Sequence, residues 1–130
     1  MIMHVLCVCT MGRNRSKYLA EYLGGLGYDP RYGGIGPCKI DPEPENPLKL
    51  EDLEWAEIII TARKMHKPIL IEKYGVKNKK IIVLEVRDSS TAMSEIYPEL
   101  KNMGRDEFNQ TWTSPQLRKA IAKYLPLTKE

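Results

Sequence analysis

A thiol, five residues and then an arginine–serine pair stand near the start of the chain, in Cys9-Thr10-Met11-Gly12-Arg13-Asn14-Arg15-Ser16. These residue types at this spacing suit an oxyanion. Arg15 carries a planar fork of donors that can hold two oxygens at once. Gly12 can take positive φ, letting successive N–H groups curl around a phosphate-sized ligand. The expected anion-binding groups are therefore Thr10, Met11, Gly12, Arg13, Asn14 and Ser16, around Arg15. If a helix begins at the end of this stretch, its open amides and dipole add to the same field. That field favours a thiolate at Cys9, so a nucleophile lies beneath the bound anion.

Those groups need a strand before them and a helix after them, and the sequence supplies both. Val5-Leu6-Cys7-Val8 is a short apolar run, and residues 16–26 place Tyr18, Leu19, Tyr22, Leu23 and Leu26 on one helical face. A second strand is expected over residues 31–35, followed by a surface loop at 41–47 that is rich in proline and glutamate. A short amphipathic helix is predicted at 48–56, and Glu57-Ile58-Ile59-Ile60-Thr61 reads as a strand buried on both faces. A helix over 62–74, closed by Gly75, leads to a fully buried fourth strand at 81–84. Alternating strands and helices imply an α/β, three-layer domain spanning 1–130, with a four-stranded parallel sheet and helices on both faces. Ligands of such sheets collect at the carboxyl ends of the strands, where Cys9 sits. Beyond the fourth strand the pattern predicts a helix at 95–103 and an irregular stretch at 104–113. Ser or Thr capping then opens a final helix at Thr113-Ser114-Pro115.

The cysteine-to-serine stretch, directly after an N-terminal Val-Leu-Cys-Val strand, resembles the low-molecular-weight protein tyrosine phosphatases, in particular their compact prokaryotic branch. The likeness is sharp over residues 5–22 and follows the order of elements to about residue 103. It implies a flavodoxin-like fold and a cysteine-dependent phosphomonoesterase acting on phosphotyrosyl protein through a phosphocysteine, with no cofactor and no metal. By the same resemblance Cys9 attacks phosphorus, Arg15 binds the phosphoryl oxygens and Ser16 hydrogen-bonds the thiolate. Gly12 stands where the family has a left-handed asparagine, and Asn14 replaces its second loop cysteine. The position of the family's acid-bearing loop falls on Glu85-Val86-Arg87-Asp88-Ser89-Ser90, which makes Asp88 the candidate general acid, ahead of Glu85 and Asp106.

Two other readings share the loop. One is an arsenate reductase-like enzyme, which needs resolving cysteines that do not occur after Cys38. The other is a binding module that captures a phosphorylated ligand without turning it over. A phosphocysteine carrier would do without Arg15. Three cysteines make no disulfide framework, and Cys7 and Cys38 are expected to be inert. Cys7 and Cys9 are expected on opposite faces of their strand. The net charge of +3 is mild and its bases are scattered, so an anionic substrate fits while nucleic acid is not an expected partner. No apolar run approaches the ~20 residues of a membrane helix and no leader pattern opens the chain, so a cytoplasmic location is expected. Arg63 and Lys64 are expected in a first helical turn, and His66 on the surface.

Overall fold

The computed structural model describes residues 2–36 and 46–128. Most of the surface loop expected at 41–47, and Cys38, fall outside the described residues. Four strands, β1 (His4–Cys9), β2 (Asp29–Gly34), β3 (Ile58–Thr61) and β4 (Lys80–Val83), form one sheet in the order β2-β1-β3-β4. Every neighbouring pair is parallel, with Leu6 opposite both Arg31 and Ile59, and Ile60 opposite Ile82. The chain leaves β1 towards β2 and later returns to pair β3 on the other side. The carboxyl end of β1 therefore lies where the strand order reverses, the position at which such sheets open a crevice.

Period two along β1 divides its side chains between two apolar layers. Val5 and Cys7 join Leu19 and Leu23 of α1 (Arg15–Gly25) and Leu117 and Ile121 of α6 (Ser114–Ala122). Leu6 and Val8 join Leu53 of α2 (Leu50–Trp55) and Leu70 of α3 (His66–Glu72). Both faces of the sheet are thus covered, and β1 and β3 are buried throughout their apolar positions. The same periodicity puts Cys7 and Cys9 on one side of the strand, against the expectation of opposite faces. Burial pushes the Cys7 thiol up, and negative charge at Cys9 adds to that, so Cys7 stays a protonated core residue.

Other sequence expectations shift for local reasons. Leu26 lies past the end of α1 and is 50% exposed rather than on its buried face. β4 is an edge strand and only Ile82 within it is buried, so it is not the fully buried strand its composition suggested. α3 starts at His66 instead of 62, because Pro68 has no N–H to return to the carbonyl of Lys64. Tight turns replace the missing helical start, with His66 N–H donating to Arg63 O at 3.1 Å. The helix expected at 95–103 is not formed there. α4 covers Ser90–Ile96, its capping residue Ser89 accepting from Ala92 N–H at 3.2 Å. Beyond it comes a 3-10 turn at Pro98–Leu100, where Pro98 has no N–H to continue the helix.

The stretch expected to be irregular is helical. α5 (Arg105–Phe108) runs through a π turn (Asn109–Thr113) into α6, so Thr113 has helical dihedrals and caps nothing. Ser114 N–H reaches back to Asn109 O, five residues away. Pro115 explains the wide turn: it cannot donate to the carbonyl four residues earlier, and the helix takes up the mismatch as a π bulge. No helix among the described residues is long and apolar enough to cross a membrane.

Candidate active site

β1 ends on Cys9, whose side chain is 2% exposed, and α1 opens on Arg15, 6% exposed. The intervening loop turns on Gly12, which has φ of +73°. That fold brings Gly12 N–H to 3.2 Å from Cys9 Sγ, and the Ser16 hydroxyl, fully buried on the next turn, to 3.1 Å from the same sulfur. Both groups can donate to a thiolate. α1 has no side-chain cap at its N-terminus and no acidic residue in its first turn, leaving its amide end electropositive towards the loop.

The loop is held from two sides. Beneath it, Ile35 N–H donates to Cys9 O at 3.0 Å, Gly36 N–H to Thr10 O at 2.9 Å and Asn46 N–H to Met11 O at 3.1 Å. The exit of β2 is therefore stitched to the loop along its length. A Cβ on Gly12 would lie 2.5 Å from Asn46 O and 2.6 Å from Gly34 N, and one on Gly34 would run into Met11 C and the Gly12 amide. Gly34→Ala is accordingly expected to cost about 2 kcal/mol or more and to displace the loop, and Gly12→Ala to do the same with φ strain added. Urea unfolding and turnover measured side by side check this; a Gly34→Ala protein with unchanged stability and activity would contradict the close approach.

From the other side comes His66, which is fully buried rather than exposed. Arg63 N–H donates to its Nδ1 at 3.2 Å, which assigns the ring proton to Nε2, and Nε2 lies 3.1 Å from Thr10 Oγ1. Burial, joined by the charges of Arg15 and Arg63, pushes His66 down to about 4 against a weaker opposing pull from Glu85 and Asp88. A histidine held neutral when folded but free to protonate when unfolded contributes stability that is complete above its ordinary value of 6.5 and is lost as pH falls towards about 4. Wild type minus His66→Gln, compared by urea unfolding, should therefore shrink by about 2 kcal/mol between pH 7.5 and pH 4.5. A difference that stays constant would mean that His66 titrates normally.

Facing the loop across a cavity of about 630 Å³ is the segment after β4. Asp88 Oδ2 accepts from Asn14 Nδ2 at 2.8 Å and lies 3.4 Å from Arg15 Nε. Asn14 also donates to Asn109 Oδ1 at 3.2 Å, so the π turn reaches the site through Asn109. Arg15 spends one nitrogen on Val86 O at 2.8 Å. Its Nε is buried and, among the described residues, makes no hydrogen bond despite the nearby carboxylate. The guanidinium is thus placed between the Val86 carbonyl and the Asp88 carboxylate, on a residue that lines the cavity.

Of the residues singled out from the sequence, Cys9, Thr10, Met11, Arg13, Asn14, Arg15 and Asp88 line this cavity. Gly12 and Ser16 do not line it; they address the sulfur from behind. Glu85 is drawn away: burial alone would raise its carboxyl, but the Arg63 hydrogen bond at 2.8 Å and the surrounding cations carry it below its ordinary value. Arg63 is thereby occupied, and Asp106 is exposed outside the cavity. Sequence reasoning missed Arg105 and Asn109 in the cavity wall, Gly34 beneath the loop and His66 beside it.

No family model and no curated protein matches the chain. Solved structures do. The tyrosine phosphatase AmsI of Erwinia amylovora superposes with a TM-score of 0.64 at 14% identity, covering 100% of this chain and 95% of that one. A low-molecular-weight protein tyrosine phosphatase from T. tengcongensis gives 0.57 at 18% identity over 93% and 99% of the two chains. The YwlE arginine phosphatase from Geobacillus stearothermophilus gives 0.55 at 18% identity over 98% and 99%. Strand order, crossover helices and near-complete mutual coverage thus give this chain the fold of the low-molecular-weight protein tyrosine phosphatases.

Proposed function

We propose that the protein is a cysteine-dependent phosphomonoesterase working through a phosphocysteine, with phosphotyrosine the substrate class that its resemblance implies. The observation that carries this reading is the convergence of Cys9, Arg15 and Asp88 on one cavity, with Gly12 N–H and the Ser16 hydroxyl both within 3.2 Å of the Cys9 sulfur. In the first step Cys9 sulfur attacks phosphorus, the S–P bond forms and the P–O ester bond breaks. Asp88 gives its proton to the departing oxygen. In the second, the Asp88 carboxylate takes a proton from water, the water oxygen bonds to phosphorus and the S–P bond breaks. Inorganic phosphate leaves and the thiolate is restored. Arg15 and the loop amides hold the equatorial oxygens, and the Ser16 hydroxyl and Gly12 N–H stabilise the sulfur anion before attack and after departure.

The nearness of Asp88 to Asn14 and Arg15 favours turnover over simple capture. Fold neighbours include tyrosine and arginine phosphatases, so fold alone does not choose between an oxygen and a nitrogen leaving atom.

Asp88→Asn tests the acid. Its kcat on an alkyl phosphate should fall by about 100- to 10,000-fold, and on para-nitrophenyl phosphate by much less, because nitrophenolate departs without a proton. Equal rates in variant and wild type on both esters would remove Asp88 from the mechanism.

A further inference from the structure

We propose that the cavity contains a second anion subsite, built by Arg105, and that the preferred substrate is a phosphomonoester carrying another negative group on its leaving side. The proposal rests on the phosphatase reading for the first phosphoryl group. At about 630 Å³ the cavity belongs to the size class that takes a whole small ligand, so it receives the leaving group as well as the phosphate. Among the described residues, its lining holds three arginines, Arg13, Arg15 and Arg105, and one carboxylate, Asp88. Arg15 and the loop amides answer the transferred phosphoryl group, while Asp88 is engaged by Asn14 and lies close to Arg15.

Arg105 remains. It is exposed at the first position of α5, and among the described residues its side chain has no ion pair or hydrogen bond. Its neighbours Asp106 and Glu107 do not line the cavity, so no acidic side chain of that turn stands between Arg105 and the ligand space. Aromatic recognition is correspondingly weak. Phe108, the aromatic residue among the described lining residues, is only 2% exposed. Tyr97 and Trp112 spend their faces on each other, with ring centroids 5.0 Å apart, and neither lines the cavity. Residues 37–45 contain no Phe, Tyr or Trp. Discrimination among leaving groups therefore falls to charge, with arginine forks suited to a carboxylate or a second phosphate.

The test compares kcat/KM for phenyl phosphate and 4-carboxyphenyl phosphate, which differ by one carboxylate. Wild type should favour the carboxylated ester by about five- to ten-fold at low salt, with the preference shrinking as ionic strength rises. The ratio should fall towards one in Arg105→Gln and below one in Arg105→Glu. Two further pairs separate the sources of the second anion. A larger ratio for phosphotyrosyl peptides with aspartate rather than alanine beside the phosphotyrosine points to an acidic peptide. A larger ratio for 1,4-phenylene bisphosphate over phenyl phosphate points to a small bisphosphate. Wild-type ratios of one in all three pairs, or a preference untouched by Arg105→Glu, overturn the subsite. If no ester is hydrolysed at all, the phosphatase reading fails, and the same ratios read as Kd by calorimetry still decide the subsite on their own.

Discussion

Cys9→Ser is expected to reduce release of phosphate from para-nitrophenyl phosphate by at least about 10,000-fold, while inorganic phosphate still binds. The size of the effect follows from what the substitution removes. A serine oxygen at this position would have the Gly12 amide and the Ser16 hydroxyl as neighbours, but neither of these can take its proton. A hydroxyl that stays protonated is a poor nucleophile, and the neutral thiol core residue Cys7 cannot substitute, because it is fully buried in the layer under α1. Anion capture is a separate matter. In the proposed reading it rests on Arg15, the loop amides and the uncapped end of α1, of which only the Gly12 amide touches the substituted atom. Turnover assayed with and without chelator, beside calorimetric titration with phosphate, checks both halves. A Cys9→Ser protein that retains more than a hundredth of wild-type turnover would refute the nucleophile.

Arg15→Lys comes next in expected effect, with a loss of about 100- to 1,000-fold in kcat/KM although charge is conserved. Arg15 does two things at once: it donates to Val86 O at 2.8 Å and lines the cavity with its Nε 3.4 Å from Asp88 Oδ2. An ammonium group is a single point with no fork, so it cannot both anchor to the Val86 carbonyl and span two phosphoryl oxygens. The same change slackens the link between α1 and residue 86, and through it the placement of Asp88. Turnover of wild type and variant on one aryl and one alkyl ester reads both consequences; a loss below five-fold on both would show that charge alone suffices.

How much of this was legible beforehand depends on how far each interaction reaches along the chain. The thiol, the glycine, the guanidinium and the serine lie within one strand–loop–helix unit, where residue spacing fixes geometry, and all four are found addressing the same sulfur or the same cavity. Asp88 was reachable through the order of elements, since in a parallel sheet every strand exit faces the same end. His66 was not. Its surroundings read as an ordinary helix start, and its burial depends on Thr10, 56 residues earlier in the chain. Gly34 was likewise unreadable, because the reason for its missing side chain is the backbone of Met11 and Gly12 pressed against it. The helix through 105–113 escaped since its polar residues carry little periodicity and its π turn breaks the rhythm by which a helix announces itself.

The sheet also distributes risk unevenly between the two halves of the chemistry. The sulfur hangs from an interior strand flanked on both sides, whereas Asp88, the proposed proton donor, follows a border strand with one neighbour and a single wholly enclosed residue. Borders open before interiors. Gentle warming should thus leave a molecule that still grips its anion yet has begun to let go of the group that completes the reaction.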